Sequence, residues 1–82
     1  MEIEQRAKRS KALVNDEWFK ETMKDLRETQ MRTFADSSAQ EVEKREDAHA
    51  ILRALTAIER SLQADVDAMT LIERKGKHRG ND

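Results

Sequence analysis

The stretch from Ser38 to Ile72 constrains this chain more than any other, because a helix-start signal there opens a long, uninterrupted apolar stripe. Ser38-Ala39-Gln40-Glu41 has the spacing of a capping box: the serine hydroxyl accepts from the amide three residues on, and the glutamate carboxylate reaches back to the serine amide. Ala48, Ile51, Leu55, Ile58, Leu62, Met69 and Ile72 follow at steps of three, four or seven, which keep one side of a helix toward a partner. The chain has no proline, and its first glycine is Gly76. One long helix is therefore expected from Ser38 to about residue 75.

The preceding segment mirrors that stripe in reverse. Glu2 to Val14 has helical composition with sparse apolar positions at Ile3, Ala7 and Leu13/Val14. Asn15 reads as the N-cap of a second segment, with Val14 and Phe19 placed to pack as a hydrophobic staple and Asp16 and Glu17 complementing the helix N-terminus. From there Trp18/Phe19, Met23, Leu26, Met31 and Phe34 carry the apolar pattern, and Ala35-Asp36-Ser37-Ser38 supplies a turn. So short a connection makes its helices antiparallel. Around a centre near Ser37, Met23 falls opposite Leu52, Phe19 opposite Leu55, Val14 opposite Leu62 and Ala7 opposite Met69. The expectation is an all-α antiparallel helical hairpin with a break near Asn15. Residues 1–75 form its one domain and residues 76–82 a flexible basic polar tail.

A hairpin of this size needs help to be stable. Eighty-two residues bury little surface, and with no cysteine there is neither a disulfide nor a thiolate metal site to staple the fold. Leu, Ile, Val and Phe number only 15, although 17 acidic against 16 basic residues leave little self-repulsion. Leu52 and Leu71 widen the apolar face beyond what one opposing helix covers. The chain is thus expected to be a homo-oligomer or to dock on a partner through Trp18, Phe19, Ile51, Leu52, Leu55, Ile58 and Leu62. The adjacent pair Trp18-Phe19 reads equally well as an exposed anchor or as core at the bend. No run approaches the roughly 20 apolar residues of a membrane span, and Met1-Glu2-Ile3-Glu4 does not begin a signal peptide. The bacterial cytosol is the expected location.

The hairpin also sorts charge. Arg6, Lys8, Arg9 and Lys11 lie beside Arg74, Lys75, Lys77 and Arg79 when the termini share one end, a patch suited to phosphate or an acidic partner. Solvated helix ends, with cations near the last turn, account for it more simply, since the chain has no nucleic-acid recognition motif and is not basic overall. Glu46 and His49 have the Glu-x-x-His spacing of di-iron bundles. In a chain that is 40% charged the pattern arises readily by chance, and no metal or other cofactor is expected. Nucleophile, phosphate-loop and dinucleotide signatures are absent, with Gly76 and Gly80 the only glycines, so the chain does not read as an enzyme.

Ala12-Leu13-Val14-Asn15-Asp16-Glu17-Trp18-Phe19, a helix ending near Arg32-Thr33, an acidic turn, and then Lys44-Arg45-Glu46 and Leu52-Arg53-Ala54-Leu55 form a recognisable succession. Over roughly residues 10 to 66 it resembles small uncharacterised helical-hairpin proteins encoded among the head-assembly genes of tailed bacteriophages. The chain departs from them in a longer charged N-terminal segment and in His49. The resemblance implies a phage origin and a non-enzymatic structural or assembly role, with a phage structural protein among the partners and the bacterial host cytoplasm or the virion as the location. The alternative is a small regulatory binder: a phage inhibitor of a host protein, or a nucleic-acid-binding accessory factor.

Overall fold

The computed structural model describes residues 2–80, with side chains as far as Gly76. Three helices make up the described chain: α1 (Glu2–Val14), α2 (Glu17–Asp36) and α3 (Val42–Gly80), with no strand among the described residues. Both α1 and α2 pack along α3, while α1 and α2 barely meet. At 1.5 Å per residue, the 39 residues of α3 reach about 58 Å, which accounts for most of the molecule's 64 Å length.

The break falls where it was expected, but its cap is Asp16 and not Asn15. The Asn15 amide stays in the α1 ladder, donating to the Lys11 carbonyl at 3.2 Å, and the Asp16 amide donates to Leu13 at 3.0 Å. Asp16 leaves the helical region at φ −73°, ψ 126°, and its carboxylate accepts from the Phe19 amide at 2.7 Å. A carboxylate satisfies an orphan amide as well as an asparagine does and adds its charge to the positive end of the helix. With the cap one residue later, Val14 and Phe19 no longer hold staple positions, although both are half-buried and line one groove.

The turn also sits later than residues 35–38. Ala35 and Asp36 remain in α2, the Ser37 hydroxyl donates to the Phe34 carbonyl at 2.8 Å, and α3 starts only at Val42. Half of the capping box forms: the Glu41 carboxylate accepts from the Ser38 amide at 2.9 Å. The Glu41 amide goes to the Ser38 carbonyl at 3.0 Å, closing a four-residue turn ahead of the helix. Arg45 also donates to that carbonyl. The later turn slides α2 along α3, so Phe19 and Met23 share a groove with Glu59 and Gln63, where Leu55 and Leu52 were expected opposite them. Ala7 and Met69, expected opposite each other, line one groove between α1 and α3.

The expected single stripe on α3 divides in two. Ala48 and Leu55 are buried, at 1% and 5% exposure, and Leu52, Leu62, Val66 and Met69 are half-buried against α1 and α2. Ile51, Ile58 and Ile72 stand exposed beside them. Leu55 therefore belongs to the core of a single chain and not to an outer contact surface. At the far end the helical backbone runs through Gly76 as far as Gly80, across most of the stretch expected to be a tail. A Cβ at Gly76 would meet nothing, so no packing demands a glycine there. The flanking Arg and Lys residues are good helix formers that offset its propensity cost of about 1 kcal/mol. Asn81 and Asp82 lie outside the described residues.

Candidate functional site

Two sides of the helix assembly differ in kind. On one side Arg27 donates to the Thr56 hydroxyl at 3.4 Å and to Glu59, and Lys20, Lys24 and Gln63 line the same groove. These contacts bring the charged flank of α2 against the charged flank of α3. Each helical residue turns by about 100°, so the opposite flanks also share a side. On α2 that flank carries Trp18, Thr22, Leu26, Thr29 and Thr33, all uncharged. On α3 it carries Ile51, Ala54, Ile58 and Ser61, and farther along Asp65 and Ile72.

Asp65 fixes α1 to this second side. Its carboxylate accepts from the Ser10 hydroxyl at 2.7 Å and pairs with the Arg6 guanidinium at 3.2 Å. Ser10 is itself buried, so the hydroxyl has a partner where an unpaired one would be costly. Ile3 and Leu13 flank Arg6 and Ser10 on the same face of α1. By helical spacing Ile3, Leu13, Trp18, Leu26, Ile51, Ile58 and Ile72, all exposed, lie toward this side, with the charged Glu2, Arg9, Asp36 and Asp47 near its ends. Between residues 51 and 72 of α3 its one charge is Asp65, and that is matched by Arg6.

The residues expected to make contacts fare unequally. Trp18 is 78% exposed and Phe19 half-buried, which resolves the pair into one outward and one inward ring. Ile51 and Ile58 are outward, Leu52 and Leu62 half-buried, and Leu55 inward. Leu71, read as widening the stripe, is exposed on the back of α3. The Ser10–Asp65–Arg6 cluster was not expected. Its signal was present nonetheless: Asp65 lies seven residues from both Ile58 and Ile72, a polar interruption in an isoleucine line, of the kind that sets register between helices.

The basic end is diluted by its neighbours. Arg6 is engaged with Asp65, and Lys8 pairs with Glu4 at 3.4 Å. Lys8 and Lys11 share a groove with Glu4 and Glu73 as well as Ala7, Val66 and Met69. Arg9, Lys11, Arg74 and Lys75 are exposed, with no carboxylate within 4 Å among the described residues. The side chains of Lys77 and Arg79 lie outside the described residues. Glu46 and His49 are exposed, and His49 shares an open groove with Arg53 and Arg60. No group of three metal-ligating side chains occurs among the described residues.

One carboxyl is perturbed. The Ser38 amide, then the Ser38 side chain, then Lys44 at 3.4 Å hold Glu41 below the ordinary glutamate range. That marks a turn stabilised by charge, placed well away from the apolar face. Among the described residues no helix is long and apolar enough to cross a membrane. No protein-family model matches the chain, and neither a curated protein nor a solved structure matches it.

Proposed function

We propose that this chain is a non-enzymatic bacteriophage structural or assembly protein, an antiparallel helical hairpin that works by helix-mediated self-association and by docking on a partner. The observation that carries this reading is the collection of large exposed apolar side chains from three helices on one face, whose α3 stretch from residue 51 to 72 carries a single charge, Asp65. Contiguous apolar surface of that kind marks an interaction site. The phage assignment rests on the resemblance over residues 10 to 66. Head-assembly proteins recovered with tagged chain from infected cells would support it, and recovery of one host enzyme with no phage protein would overturn it.

A second reading, a regulatory or nucleic-acid-binding factor, draws on Arg9, Lys11, Arg74 and Lys75, which have no carboxylate partner among the described residues. Such a patch contacts backbone phosphate, so binding falls steeply with salt and ignores sequence. Absence of DNA or RNA binding at low ionic strength removes this reading. The mixed charges around Lys8 and Lys11 favour the first.

A further inference from the structure

We infer that the occupant of the apolar face is a second copy of this chain, paired across a two-fold axis. The inference rests on the self-association reading and names the surface that performs it. Leu13 of α1, Trp18 and Leu26 of α2, and Ile51, Ile58 and Ile72 of α3 all point to one side, and all are exposed in the single chain.

Three observations select a copy of the chain over a different partner. The first is charge. Over the α3 stretch 51–72 the face's one charge, Asp65, is neutralised by Arg6, so the middle of the face offers no unpaired charge to a strongly basic or acidic partner. The chain as a whole carries a formal charge of only -1, so two copies approach without long-range repulsion. The second is area. The chain exposes 6759 Å², against about 5,000 Å² for a compact chain of this size. That surplus exceeds the roughly 800 Å² per partner of a standard interface. A face within a 64 × 22 Å outline has room for such an interface. The third is the poverty of the single core: among the described residues only Ala7, Met23, Ala48 and Leu55 are buried apolar residues, and no large side chain is fully enclosed. A two-fold places the same face on both copies, so every apolar residue gains cover at once.

Trp18 is the only tryptophan and serves as an internal reporter. In the pair its emission is blue-shifted, moving to that of a solvated indole on dilution, in step with the loss of dimer mass in sedimentation equilibrium. Ile58→Glu places a charge in the interface and raises the dissociation constant more than about tenfold. Its helicity is retained, since Ile58 is exposed in the single chain. Met31→Glu, an exposed position on the charged side, leaves pairing unchanged. A wild-type chain that sediments as a monomer at every concentration, with solvated Trp18 emission throughout, overturns the inference; so does equal weakening by Ile58→Glu and Met31→Glu. Those outcomes are independent of the assembly reading, which is decided by recovery of head-assembly proteins. If Trp18 becomes shielded only when such a protein is added to a monomeric chain, self-pairing is rejected.

Discussion

At the scale of single residues, Asp65 shows how a polar group can specify register in a helical assembly. It accepts from buried Ser10 and pairs with Arg6, both from another helix, at a position the isoleucine spacing would make apolar. Asp65→Ala strands the Ser10 hydroxyl, so it should cost about 1–3 kcal/mol in urea unfolding, while Asp65→Asn, which keeps an acceptor, should cost less. Glu41 makes a different local claim. Its folded-state pKa lies below its ordinary value, so its contribution to the turn is present at neutral pH and is lost as pH falls through the glutamate range and below. The Ser38 amide shift should follow that titration by NMR, and Glu41→Gln should abolish the pH dependence while keeping an acceptor for the amide. The link between Ser38 and Glu41 was legible in the sequence because capping is local. The link between Ser10 and Asp65 was not, since 55 residues separate them and only the register joins them.

At the scale of elements, helix existence was easier to read than helix boundaries. The long α3 follows from its unbroken spacing, and the break near residue 15 from clustered cap residues. What periodicity leaves undetermined is which of two neighbouring candidates caps: Asn15 and Asp16 both qualify, and the carboxylate takes the role. Asp16→Ala should therefore destabilise the chain by about 0.5–2 kcal/mol in chemical denaturation, with Asn15→Ala near neutral by comparison. The apolar stripe carried a similar ambiguity. Spacing of three and four marks a helical side wide enough for two neighbours, and α1 and α2 cover only the part that includes Ala48 and Leu55. Reading Leu55 and Ile58 as equivalent was reasonable from the sequence. The placement of α2, displaced by the later turn, separates them.

At the scale of the whole molecule, the shape is elongated beyond what a single core of this size supports. The radius of gyration is 18.1 Å, against about 12 Å for a compact chain of 82 residues. Among the described residues, Leu13, Trp18, Leu26, Ile51, Ile58 and Ile72 are exposed toward one side, and Met31 and Leu71 are exposed elsewhere. The expectation of a partner came from the short length, the missing staples and an apolar stripe too wide for one helix. The face itself became visible only once Arg27 and Asp65 showed which flanks meet.

The most direct test of this account compares Leu55→Ala with Ile58→Ala in unfolding experiments across a range of protein concentrations. Leu55 is 5% exposed and Ile58 47% exposed in the single chain, although they lie on the same helix three residues apart. The account predicts that Leu55→Ala loses about 2–5 kcal/mol at every concentration. Ile58→Ala should lose little where the chain is dilute and progressively more where copies pair, because ligation by a second copy stabilises by mass action. Equal losses for the two variants at the lowest concentration, or an Ile58→Ala loss that does not change with concentration, would contradict it.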